Sequence, residues 1–145
     1  MGVRGTGDGP EVVRHDAVNR ERSASLLANE IERLTGPAGL SLSEITILSP
    51  LPFSESAAAL LPHALTTEIT ELDEYSLLDF PPKRISFAGI RQFKGLENEA
   101  VLLIDLPRPT AATEAVPDHY VGMSRARSLL VAIFCNAATG ATLSR

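Results

Sequence analysis

Apolar residues along this chain fall into short dense runs, and stretches with helical spacing separate several of them. Ile45-Thr-Ile-Leu48 predicts a compact buried strand that ends at Ser49-Pro50, where proline blocks continuation. Arg84 to Ala88 is strand-like, Ala100 to Leu106 is the clearest strand, and Leu129 to Phe134 predicts the last one. Glu11 to Arg14 and Thr66 to Thr70 read as two further short strands. Between them, Ala24, Leu27, Ile31 and Leu34 recur at helical spacing from about Asn19 to Leu34, with Gly36-Pro37 as the stop. Ser54 to Leu61, rich in alanine, predicts a second helix ended near Pro62, and Ala115 to Arg127 a third leading into the last strand. Residues 73–82 read as an irregular acidic loop. Short apolar strands alternating with helices indicate a parallel sheet covered on both faces, an α/β fold.

At 145 residues the chain is most simply one domain, long enough to bury a core without staples. The expected organisation is a disordered segment over residues 1–10, which holds four glycines and no periodicity, a folded domain over 11–135, and a frayed tail over 136–145. No apolar run approaches the ~18–20 residues that span a bilayer, and no signal peptide is evident, so a cytoplasmic protein with no membrane partner is the expectation. The single cysteine, Cys135, excludes an internal disulfide and a cysteine-cluster zinc site, and reads as an ordinary strand-end residue. His15, His63 and His119 have no metal-ligand spacing and read as surface or capping residues.

A net charge of −5 argues against a domain that grips nucleic acid alone through a broad basic face. The charge is uneven, however. Acidic residues concentrate around Glu68, Glu71, Asp73, Glu74 and Asp79, whereas Lys83, Arg84, Arg91, Lys94, Arg108, Arg125 and Arg127 cluster in the C-terminal half. A local basic edge on an acidic body is compatible with that distribution.

The candidate chemistry lies in two segments. Gly89-Ile-Arg-Gln-Phe-Lys94-Gly95-Leu96-Glu97 lies between two strand runs, and Tyr120-Val-Gly-Met-Ser-Arg125-Ala-Arg127 precedes the last. Phosphate ligands need backbone N–H groups near glycine or a helix start, with Lys or Arg to neutralise charge. Lys94-Gly95 offers that combination, and Glu97 offers an acceptor for a sugar hydroxyl. Taken singly, each segment has an ordinary alternative: an exposed charged turn for the first, a basic helix end complementing its dipole for the second. No Gly-x-x-x-x-Gly-Lys-Ser/Thr phosphate loop occurs. Gly122-Met-Ser124 lacks the final glycine of a nucleophile elbow, its place being held by Ala126.

In this order, Phe93-Lys-Gly-Leu-Glu97 with its following strand and Tyr120 to Arg127 with theirs closely resemble motifs V and VI of superfamily 1 helicases of the UvrD/Rep type. The resemblance covers roughly residues 11–135 and is topological outside the two motifs. It implies a three-layer RecA-like (P-loop NTPase-like) domain with a mainly parallel sheet and no phosphate loop of its own, closing over ATP and Mg2+ held by a separate N-terminal domain. By the same resemblance Arg125 is the arginine finger, Lys94 lies near the γ-phosphate, Gly95 permits close backbone approach and Glu97 bonds the ribose. Arg127 has a less fixed counterpart and is taken as structural or regulatory; Tyr120 and Met123 are taken as packing residues.

Departures qualify what the resemblance implies. Arg91 stands where typical members place a DNA-contacting histidine, so it is the candidate contact to single-stranded DNA, through phosphate rather than base stacking. The family's Asn-Tyr-Arg-Ser motif is missing, as are both Walker motifs, and about thirty residues between Pro50 and Lys83 are too few for a large inserted subdomain. The expected function is the C-terminal domain of an ATP-dependent DNA helicase or translocase, inactive as an isolated fragment. Two alternatives stand beside it: a degenerate helicase-like domain acting as a protein-interaction module, and a free-standing nucleotide-binding protein.

Overall fold

The structure is a computed structural model that describes residues 11–72, 83–90, 97–107 and 126–135. Among the described residues, six strands form one sheet: β1 (Glu11–Ala17), β2 (Ile45–Ser49), β3 (Ile69–Glu71), β4 (Ile85–Gly89), β5 (Asn98–Leu106) and β6 (Ala126–Cys135). Their order is β1-β6-β5-β2-β4-β3, and every pairing is parallel. The expected α/β class and parallel sheet are borne out.

Parallel strands buried on both faces need continuous apolar runs, and β2 and β5 have them. Ala100, Leu102 and Ile104 of β5 join Ile45 and Ile47 of β2 in one core cluster, while Val101 and Leu103 join Leu48 in a second. Successive strand residues point to opposite faces, so these clusters lie on the two sides of the sheet. Both are closed: Ile104, Leu103, Leu130 and Val131 have no solvent exposure. Such two-sided burial is what a three-layer α/β architecture requires.

Helix α1 (Arg20–Thr35) covers the first face. Asn19 caps it by accepting from the Arg22 N–H at 2.8 Å, Glu21 and Arg33 complement the dipole at its two ends, and the Gly36 N–H closes onto the Glu32 carbonyl at 2.9 Å. A Cβ at Gly36 would lie 3.0 Å from that same carbonyl oxygen, a close approach that favours glycine there. Ala24, Leu27, Ile31 and Leu34 are all buried. Fully burying a Leu or Ile contributes about 1.5–3 kcal/mol each, so packing of this stripe outweighs intrinsic helix propensity.

Three expectations about elements are corrected. The helix predicted over Ser54 to Leu61 is instead two 3-10 turns, Phe53–Glu55 and Ala57–Leu60, separated by an extended Ser56. Ser56 Oγ donates to the Phe53 carbonyl at 2.8 Å and accepts from the Ala58 N–H, while the Ala57 N–H turns to the Asp105 carboxylate. Those side-chain bonds outcompete the helical ladder that the alanines favour. The strand predicted over Thr66 to Thr70 is displaced: α2 (His63–Thr66) comes first, and β3 starts at Ile69, where register with Ile85 begins. The Thr66 and Thr67 hydroxyls donate to the carbonyls of His63 and Ala64, holding the turn.

The third correction concerns Ala126 and Arg127, which belong to β6 and not to a helix, because pairing with β5 begins at Asn98 opposite Ala126. The rest of that expected helix lies outside the described residues, as do residues 1–10, the acidic loop over 73–82 and the tail over 136–145. Cys135 is buried as the final residue of β6. No helix among the described residues is long and apolar enough to cross a membrane.

Candidate functional site

Asn98, the first residue of β5, is buried and spends its side chain on three bonds. Its amide nitrogen donates to the Ser43 carbonyl at 3.0 Å and to Thr46 Oγ1 at 2.9 Å, and its oxygen accepts from the Glu99 N–H at 2.9 Å. Thr46 Oγ1 is in turn hydrogen-bonded to Ser86 Oγ, 2.7 Å away. A buried polar chain thus runs across β5, β2 and β4 and fixes where β5 begins.

That anchorage places Glu97 at the amino-terminal edge of the sheet, beside the start of β6. Arg127 reaches across from β6: its Nε lies 3.0 Å from Glu97 Oε1 and its Nη1 3.8 Å from Glu99 Oε1. Ser128 Oγ also donates to Glu99 Oε2. The Glu97 and Arg127 side chains are 51% and 60% exposed. An exposed pair of this kind is worth about 0–1 kcal/mol in stability, so its consequence is where it holds charge. A cavity of about 260 Å³ opens at the same edge, lined by Glu11, Arg33, Glu99 and Ser128 among others.

Of the residues singled out from the sequence, Glu97 is described; Arg91, Lys94, Gly95 and Arg125 lie outside the described residues. Their neighbours in the chain are placed, however. Arg125 directly precedes Ala126, and Glu97 directly precedes Asn98; Ala126 and Asn98 are register partners. The sheet therefore brings the ends of the two motif segments together at one edge. Arg91 follows Ile90, whose N–H donates to the Ser49 carbonyl at 3.0 Å at the opposite, carboxyl-terminal edge. Parallel α/β sheets usually bind ligands at the carboxyl ends of their strands, so the placement of Glu97 at an amino end departs from that rule.

The carboxyl-terminal edge holds a feature the sequence reading missed. Asp105 is buried near the end of β5 with φ of 59°, in the left-handed region. Its Oδ2 accepts from Ser49 Oγ at 2.7 Å and its Oδ1 from the Ala57 N–H at 3.2 Å. The backbone irregularity also shifts the alternation: Leu106 joins the second core cluster, not the first. Burial raises the Asp105 carboxyl above its ordinary range, opposed by the bonds from Ser49 and Ala57 and by the charge of Arg20. The available signal was an aspartate within the apolar run Val101 to Leu106. Beside it, Ser49, Pro50, Phe53, Glu71, Phe87 and Gly89 line a cavity of about 370 Å³.

His15, expected at the surface or in a cap, is partly buried and pairs with Glu30 of α1 at 2.7 Å, and Arg33 shares that carboxylate. This group ties β1 to α1. Among the described residues no cluster of three or more His, Cys, Asp or Glu is placed to hold a metal ion.

No family model matches this chain, and no curated protein matches it. Among solved structures it is similar to the C-terminal domain of a "possible DNA helicase" from Lactobacillus plantarum WCFS1, with a TM-score of 0.59 and 19% identity over 92% of this chain and 78% of that one. At that identity the likeness establishes the fold alone: an α/β domain built on a parallel sheet.

Proposed function

We propose that this chain is the C-terminal, second RecA-like domain of an ATP-dependent DNA helicase or translocase of the UvrD/Rep type. The carrying observation is the Asn98–Ala126 register, which brings the ends of the two motif segments to one edge of the sheet. The fold likeness to a helicase C-terminal domain supports it independently.

On this reading ATP lies between this edge and a separate N-terminal domain that binds the β-phosphate and Mg2+; the metal neutralises phosphate charge there. Arg125 places its guanidinium on the γ-phosphate and stabilises the charge that develops as the phosphoryl group transfers. Lys94 adds positive charge near the same group, Gly95 lets the backbone approach closely, and Glu97 accepts a hydrogen bond from a ribose hydroxyl. Arg91 contacts a phosphate of single-stranded DNA. Closure and opening of the two domains with each ATP would then advance the strand.

The test joins this domain to an N-terminal ATP-binding helicase domain and compares DNA-stimulated ATPase of wild type and Arg125→Ala. A loss of about 10³–10⁵-fold is expected for removal of a finger. Undiminished hydrolysis in the variant removes the assignment. If the encoding gene specifies no phosphate loop upstream, the degenerate interaction-module reading replaces this one; Arg91 in place of the usual histidine and the acidic run over residues 73–82 are compatible with it.

A further inference from the structure

Arg127 is the one cation that the described residues place directly on the carboxylate assigned to the ribose. Its guanidinium lies between two carboxylates, with Nε on Glu97 Oε1 at 3.0 Å and Nη1 toward Glu99 Oε1 at 3.8 Å. Glu97 and Glu99 come from β5 and its immediate approach, Arg127 from β6, and Ser128 of β6 binds the far oxygen of Glu99. Without Arg127 this edge would present two neighbouring negative charges to an incoming nucleoside triphosphate, itself an anion. With it, one of those two charges is offset. Among the described residues the Arg127 contact engages Oε1 of Glu97, leaving Oε2 available as a hydroxyl acceptor.

We infer that Arg127 is a positioning residue for nucleotide binding: it orients the Glu97 carboxylate toward the sugar and offsets the charge of Glu99. The inference rests on the helicase reading above. It assigns Arg127 no contact with the reacting phosphate, so its effect falls on binding and sugar discrimination and not on the chemical step. A planar fork suits this task because one guanidinium spans two carboxylates, whereas an ammonium meets them as a point charge.

The experiment uses the protein joined to its ATP-binding domain and measures kcat and KM for ATP, 2′-deoxy-ATP and 3′-deoxy-ATP. Because the pair is exposed, the expected size is modest: Arg127→Ala raises KM for ATP about threefold to fivefold with kcat nearly unchanged. Its preference for ATP over whichever deoxy analogue wild type disfavours shrinks in parallel, as it does in Glu97→Gln. Arg127→Lys restores most of the KM, by charge, but not the sugar preference. Should Arg127→Ala fold poorly, Glu99→Gln gives an independent reading, because removing the second carboxylate is expected to hold or lower KM for ATP.

An unchanged KM in Arg127→Ala, or a raised KM in Glu99→Gln, overturns the inference. So does a fall in kcat at constant KM, which would place Arg127 at the phosphate itself. Arg125→Ala separates the two levels of the proposal. If it abolishes turnover while Arg127→Ala changes nothing, the inference on Arg127 fails alone. If it has no effect, the helicase reading fails and takes this inference with it.

Discussion

The Asn98 amide nitrogen lies 2.9 Å from Thr46 Oγ1 in a buried position between β5 and β2. This bond sets the height at which β5 starts, and therefore where Glu97 stands relative to β6. Asn98→Ala would strand the Ser43 carbonyl and the Glu99 N–H along with Thr46. Each buried unsatisfied group costs about 1–3 kcal/mol, less whatever water recovers. The expected loss is about 2–4 kcal/mol, read as a lower denaturant midpoint with an unchanged slope.

Packing of α1 gives a second prediction. Leu27 has no exposure and sits in the first core cluster, so Leu27→Ala is expected to cost about 2–5 kcal/mol. Val18 is 73% exposed, and Val18→Ala should fall within about 0.5 kcal/mol of wild type. Chemical denaturation of both variants checks the contrast; equal effects would mean that α1 is not seated as described.

The same helix was the part most legible in the sequence, because its stripe of Ala24, Leu27, Ile31 and Leu34 carries both its boundaries and its buried face. The apolar runs of β2 and β5 were equally plain. What escaped were features decided by distant partners. Ala57 leaves the expected helix because Asp105, 48 residues on, takes its N–H. Arg127 enters a strand because Asn98 lies opposite Ala126. The Arg127–Glu97 pair, 30 residues apart in sequence, exists only through that register. No local periodicity encodes such relations, whereas the motif segments themselves were visible as residue strings.

Asp105 yields a prediction about pH. Its folded carboxyl is raised above the ordinary carboxylate range, chiefly by burial. A raised folded-state pKa means that the contribution to stability is full below the unfolded pKa and is lost as pH rises through the folded one. Wild-type stability measured against Asp105→Asn should therefore decline as pH rises from about 4 through the raised folded pKa. Asparagine tolerates the left-handed φ of 59°, which isolates the charge. Asp105→Ala tests the geometry instead: it orphans the Ala57 N–H, strains the backbone, and should be less stable than the Asn variant at every pH. A flat difference between wild type and Asp105→Asn across this range would remove the burial account.

The last prediction concerns what the domain does alone. A triphosphate gains most of its binding from backbone N–H groups of a phosphate loop, a lysine reaching the β- and γ-phosphates, and the metal. This sequence contains no Gly-x-x-x-x-Gly-Lys-Ser/Thr loop. What the described edge offers is the exposed Glu97 carboxylate and an arginine already engaged by two carboxylates. Such a surface meets a nucleotide with a few exposed contacts, each worth about 1 kcal/mol or less. Calorimetric titration of the isolated chain with ATP and Mg2+ is therefore expected to be flat at micromolar concentrations, and the chain to hydrolyse no ATP. Measurable turnover, or a saturating isotherm with a micromolar Kd, would instead favour a free-standing nucleotide-binding protein and would mean that this edge needs no partner domain to complete it.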